Sequence, residues 1–158
     1  MVTCSIRPYR SGDADSFSPI FQSAVRQIGG RDYDPAQIAA WAARAPAAAR
    51  WREIMGDGRC CLVAVDAADR PLAFGDMEAD GHIDFLYAHP DAAGSCVVAA
   101  LYAELEATAR AQGLTRLYVE ASEAARRFFL KQDFCVQQRR DFEIDGVAIH
   151  NYAMEKTL

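Results

Sequence analysis

The chain has no Cys-x-x-Cys pair, no apolar run long enough to cross a bilayer, no surplus of basic residues and no basic leader ahead of an apolar stretch. Each absence removes a class of protein. Five cysteines (Cys4, Cys60, Cys61, Cys96 and Cys135) form an odd set without metal-ligand spacing, which argues against a disulfide framework and a structural zinc site and predicts reduced thiols and no bound metal. A spanning helix needs roughly 18 or more apolar residues in succession, so no membrane partner is expected. The formal net charge of −5 disfavours nucleic acid, because binding phosphates through counterion release takes a basic patch. The opening MVTCSIRPYR does not read as a secretory signal, so the cytoplasm is the expected compartment.

What is present fits one globular domain spanning residues 1–158, with 51% hydrophobic and 25% charged residues. A short strand is expected at Cys4 to Arg7, followed by a helix opened by Gly12-Asp13, with Phe17, Phe21, Ala24 and Ile28 at helical spacing. Proline is tolerated in a first turn, so Pro19 predicts a regular helix that starts as late as Ser18. Asp34-Pro35-Ala36-Gln37 supplies a cap, a proline at the first helical position and a Gln three residues after the cap. A further short helix covers Ala47 to Met55. Strands at Cys60 to Asp66, Leu72 to Ala79 and His82 to Ala88 form an antiparallel meander, its second turn at Asp80-Gly81. An amphipathic helix runs from Val97 towards Gly113, then come a strand at Leu117 to Glu120, a helix at Glu123 to Lys131 and a hairpin across Asp145-Gly146. This order predicts an α/β fold: a mixed, mostly antiparallel sheet with helices on both faces and a central parallel pair, His82 strand beside Leu117 strand, because a helical crossover joins them.

The segment from His82 to Gly113 carries most of the functional signal. It reads as strand, glycine-bearing loop and helix, and the first N–H groups of a helix lack intrahelical partners. The backbone from Ala93 through Gly94, Ser95, Cys96 and Val97 to Val98 can therefore donate hydrogen bonds to an anion with the helix dipole behind it.

The order of elements, with IRPYRSGDAD at the start, LYAHPDAAGSCVVAAL in the middle and EAARRFFLKQDF near the end, resembles the GNAT superfamily of acetyl-CoA-dependent N-acetyltransferases. The likeness spans nearly the whole chain. It implies that Ala93 to Val98 seat the pyrophosphate of coenzyme A, although Ala93 stands where the family has Gln or Arg, Cys96 where it has the central Gly, and Val98 where it has Gly or Ala. It also implies that a backbone N–H of Leu86, Tyr87 or Ala88 polarises the thioester carbonyl, and that Ser122, Ala125, Phe128 and Phe129 border the pantetheine arm. Where the family places a tyrosine near the sulfur, this chain has Phe129, which has no proton to give.

Acetyl transfer to an amine needs a neutral amine, a polarised carbonyl and an outlet for the thiolate. Strand alternation places His82 and Asp84 on one face with Leu86 and Ala88, so both are expected at the acceptor pocket, with Asp84 favoured as base and Glu120 second. Tyr87 and Tyr118 are candidates for the missing acid. Tyr33, Trp41 and Trp51 are candidates for the acceptor pocket, in competition with a core role. The expected acceptor is a small-molecule or peptide amine, and a homodimer is possible. Two rivals remain open: a coenzyme A-binding sensor or interaction domain without turnover, and a Cys96-dependent acyltransferase or hydrolase with His82 or His89 as base. Asp84→Asn is expected to lower turnover by at least about tenfold, while Cys96→Ser stays nearly silent; unchanged turnover in Asp84→Asn removes that residue from the reaction.

Overall fold

The computed structural model describes residues 3–93 and 96–158. Strand β1 (Ser5–Pro8) and a 3-10 turn (Ser11–Asp13) lead into helix α1 (Ala14–Gln27). A second 3-10 turn (Gly29–Arg31) precedes α2 (Pro35–Ala42) and α3 (Ala48–Met55). Strands β2 (Cys60–Val65), β3 (Pro71–Met77), β4 (His82–Ile83) and β5 (Leu86–Ala88) come next, followed by α4 (Val97–Ala111). Strand β6 (Arg116–Ala121), α5 (Glu123–Leu130) and the hairpin β7 (Cys135–Ile144) and β8 (Val147–Thr157) complete the order.

The expected mixed α/β fold is present, but its sheet is opened. One sheet has the order β1-β2-β3-β5 and the other β4-β6-β8-β7. Strand β4 runs parallel to β6, as the crossover required, and the remaining pairs are antiparallel. Helices cover both faces: Val63 and Val65 of β2 pack with Phe17, Trp51 and Phe74 under α1 and α3, while Ala64 between them packs with Val97 and Leu101 of α4.

Two expectations change. Helix α1 starts at Ala14, four residues ahead of Ser18, despite Pro19 inside it. Pro19 lies on the exposed side, where a carbonyl released by the missing N–H can be solvated, while Phe17, Ile20, Phe21, Ala24 and Val25 are buried. Phe17 stacks on Phe74 at 3.9 Å and meets Trp51 edge-on at 5.6 Å, so tertiary packing outweighs the local penalty.

The second change decides where the site lies. The segment from His82 to Ala88 is not one strand: it breaks at Asp84 and Phe85, sending β4 to one sheet and β5 to the other. The break is held by Asp76 on β3, whose side chain is fully buried. Its Oδ1 accepts the backbone N–H of Asp84 at 3.1 Å and of Phe85 at 2.6 Å, and its Oδ2 accepts Arg59 at 2.6 Å. Burial pushes the Asp76 carboxyl up to about 6, against the pull of Arg59 and the Phe85 amide, so at neutral pH it is ionised and paired. Gly81 fixes the turn before the break: its φ is +94°, and a Cβ there would lie 2.2 Å from the carbonyl oxygen of Arg116.

Removing one partner of a buried ion pair strands the other charge, at a cost of about 3–5 kcal/mol. Asp76→Ala is therefore expected to lower the free energy of unfolding by about 3 kcal/mol or more in urea titration. A loss below about 1 kcal/mol would mean that the break holds without it.

Candidate active site

Between β5 and the start of α5, beside the end of α1, lies a cavity of about 410 Å³. Its lining includes Leu86, Tyr87 and Ala88 on one side, Ser122, Ala125 and Phe128 on the other, and Ala93 and Val98 at the leading edge of α4. These are eight of the positions that the sequence assigned to the coenzyme. Cys96 caps α4 without a side-chain hydrogen bond, and the first turn of that helix carries no acidic residue. Lys131 is the one charged side chain lining this cavity among the described residues. Ser122 caps α5 through Ala125 N–H at 3.3 Å, which leaves its own hydroxyl proton free to donate.

Three of the remaining coenzyme positions fall elsewhere. Val97, the first residue of α4, is 2% exposed and packs towards Ala64 and Ala73, and Cys96 is exposed without lining the cavity. Phe129 is 1% exposed, packed against Tyr102 and Phe134, and reaches the neighbouring smaller cavity instead. Gly94 and Ser95 lie outside the described residues.

The smaller cavity, about 130 Å³, shares Tyr33, Trp41, Leu86, Tyr87, Ser122 and Ala125 with the larger one, so the two adjoin. Tyr33 and Trp41 line both cavities, whereas Trp51 is fully buried in the core. The volume of the smaller one compares with a cavity of roughly 150 Å³ that takes benzene. Carboxylates of Asp84 and Glu120 supply its charge.

Strand alternation placed His82 beside Asp84 at this pocket, and the break in the strand overturns that placement. His82 lines neither cavity. Its Nδ1 meets Glu78 at 2.7 Å and its Nε2 meets Glu120 at 2.5 Å, so both ring nitrogens are taken. The bond to Glu120, reinforced by Glu78, pushes the imidazole up to about 9 against its burial, and the same bond lowers the Glu120 carboxyl. Asp84 does line the pocket, but its Oδ2 accepts Arg59 at 3.1 Å. Tyr118, a candidate acid, stacks on His82 and donates to Asp80 at 2.5 Å, away from both cavities. Tyr87 lines both, and burial pushes its phenol up, so it keeps its proton.

The sequence reading missed a second set of residues. His150 and Asn151 of β8 line the smaller cavity. Glu123, at the start of α5, accepts His150 Nε2 at 2.8 Å and Tyr152 hydroxyl at 2.7 Å on one oxygen. The Tyr33 hydroxyl donates to the His150 carbonyl at 3.0 Å and accepts the Glu123 N–H at 3.1 Å, tying the turn before α2 to α5 and β8. A histidine alone in a C-terminal strand gave no sequence signal, because its partner lies 27 residues away.

A family model described as an acetyltransferase (GNAT) domain matches residues 30–156. The chain belongs to the GNAT acetyltransferase family. A GCN5-related N-acetyltransferase from Rhodopseudomonas palustris has 35% identity and a TM-score of 0.90, covering 100% of this chain and 98% of that one. The PaiA N-acetyltransferase of Thermoplasma acidophilum, solved with coenzyme A, shares the fold at 16% identity and TM-score 0.76, covering 99% of each chain. A phosphinothricin acetyltransferase of Sinorhizobium meliloti, solved with acetyl-CoA, does so at 20% identity and TM-score 0.74, covering 99% of this chain and 89% of that one. No curated protein matches the sequence significantly. Among the described residues, no helix of this GNAT domain is long and apolar enough to cross a membrane.

Because the folded imidazole of His82 titrates near 9 against an ordinary 6.5, its stabilisation is complete below about 6.5 and is lost as pH rises through about 9. The melting-temperature advantage of this GNAT domain over its His82→Gln variant is expected to shrink steadily from pH 6 to pH 10, in steps of about one pH unit. An advantage independent of pH would show that His82 is not held as a cation.

Proposed function

We propose that this domain moves the acetyl group of acetyl-CoA directly to a primary amine of a small molecule or peptide. The observation that carries the reading is the pair of adjoining cavities, one apolar and ending at the leading edge of α4, the other acidic and ring-sized. Strand β5 is the last strand of its sheet, so one side of its backbone faces the gap without a strand partner. An extended pantetheine arm can lie there as an added strand, and an outward N–H of Leu86 to Ala88 then meets the thioester carbonyl. The amides opening α4 and the ammonium of Lys131 suit the coenzyme's phosphates.

In the smaller cavity Asp84 and Glu120 attract the acceptor as an ammonium ion, and the aromatic walls hold its carbon frame. Proximity does most of the work: fixing amine and thioester at reacting distance replaces a bimolecular encounter. The coenzyme thiolate leaves towards Tyr87, whose retained proton is available where Phe129 has none. Cys96 takes no part, since it faces solvent and lines neither cavity.

Calorimetry with acetyl-CoA is expected to show one saturable site. Lys131→Ala should weaken it by about three- to tenfold through loss of one charge contact, and Ala125→Trp should abolish it by filling the cavity. Wild-type protein that binds neither coenzyme A nor acetyl-CoA overturns the reading. Binding without thiol release towards any amine leaves a coenzyme sensor in its place.

A further inference from the structure

Four side chains at or behind the acceptor pocket are candidate bases, and three of them are already engaged in ways that remove them as proton acceptors. Asp84 is bonded to Arg59, which is itself 9% exposed and shared with Asp57 and Asp76. Glu120 is bonded to a His82 that already holds its proton. His82 has no free ring nitrogen and does not reach the cavity. His150 differs from all three. One of its nitrogens is held by Glu123, the other makes no hydrogen bond among the described residues, and the side chain lines the pocket at 17% exposure.

The tautomer follows from the partner. Glu123 is held below the usual carboxylate range: burial raises it, but bonds from His150 and Tyr152 and the Arg126 guanidinium more than offset that. An ionised carboxylate only accepts, so Nε2 carries a hydrogen, and Nδ1 is the nitrogen left to exchange a proton with the pocket. The ring is braced by Tyr33 at 5.3 Å and by Tyr152, edge-on, at 5.7 Å. A base whose second nitrogen is fixed by a carboxylate is the arrangement that acyl-transfer sites use to orient an imidazole.

We infer that His150, oriented by Glu123, is the group that takes the proton from the acceptor amine. The inference rests on the acetyl-transfer reading and adds to it the residue that makes the amine nucleophilic. The ammonium gives one proton to Nδ1 and leaves a neutral amine. That nitrogen forms a bond to the acetyl carbonyl carbon, and the C–S bond then breaks with its electron pair on sulfur. The second N–H proton ends on the thiolate, and the first leaves the imidazolium for solvent, so one proton is released per acetyl-CoA consumed. Charged and titratable neighbours that tune the ring are Glu123, Arg126, Tyr152 and Tyr33, with Asp141 opposite it on β7.

The test uses purified wild-type protein, acetyl-CoA and a panel of ethanolamine, phenethylamine, spermidine and glycinamide, with thiol release as the readout. For whichever amine is acetylated, His150→Gln is expected to lower kcat by at least about thirtyfold while calorimetric affinity for acetyl-CoA stays the same. The same variant should lose the acidic limb of the pH–rate profile. In His150→Gly, added imidazole should restore part of the rate, which a merely structural histidine would not allow. Glu123→Gln is expected to lower kcat less than His150→Gln, because the ring is disoriented and not removed.

A His150→Gln rate within about threefold of wild type, with an unchanged pH profile, overturns the assignment and leaves acetyl transfer intact. Loss of acetyl-CoA affinity in that variant would also overturn it, by showing a role in holding the fold. If wild type binds acetyl-CoA but releases thiol with none of the four amines, the transfer reading falls and the inference with it.

Discussion

One buried carboxylate holds the sheet open. Asp76 accepts the amides of Asp84 and Phe85, which would otherwise continue a strand, and Arg59 neutralises it. A run of β-branched and aromatic residues with a charge in the middle gains from staying paired on both sides. The clamp gives the freed amides a partner that outcompetes the neighbouring strand. Once β4 and β5 part, β5 is left with an unpartnered side, and both cavities lie along the opening. The same clamp draws Arg59 onto Asp84, so the device that makes the pocket also occupies one of its carboxylates.

Charge is divided between the cavities in a way that fits two different occupants. The larger one is apolar with Lys131 at its wall and the head of α4 at its end, a setting for a long chain ending in phosphates. The smaller one has two carboxylates and an aromatic lining, a setting for an ammonium on a compact body. Two histidines near it, His150 on its wall and His82 behind Glu120, are bonded differently. Two carboxylates hold His82 as a cation, whereas Glu123 fixes one nitrogen of His150 and leaves the other open. Counting histidines near a pocket would treat them alike; their hydrogen bonds separate them.

Much of the fold was legible along the chain because it is encoded locally. Asp34 and Gln37 form the reciprocal cap that their spacing predicts, Asp145-Gly146 turns the last hairpin, and the crossover made β4 and β6 parallel. Leu86, Tyr87, Ala88, Ala93 and Val98 line one cavity because a strand, a loop and a helix follow each other directly. The start of α1 and the break at Asp84 could not, since each depends on a contact far away in sequence: Phe74 and Trp51 beneath Phe17, and Asp76 beneath the Asp84 amide. His82 was misplaced for the same reason, because period-2 alternation holds only within an unbroken strand.

The amino-acid sequence alone determined the order of elements, the strand–loop–helix junction ahead of α4 and the family resemblance, because caps, turns and periodicity act over a few residues. Tertiary structure decided which side chains share the pocket. His150 meets Glu123 only when β8 folds back beside α5, and Asp84 meets Arg59 only when β2, β3 and the β4–β5 break converge. A titratable group's state is set by what surrounds it in space, and those neighbours come from segments that nothing in the local sequence joins.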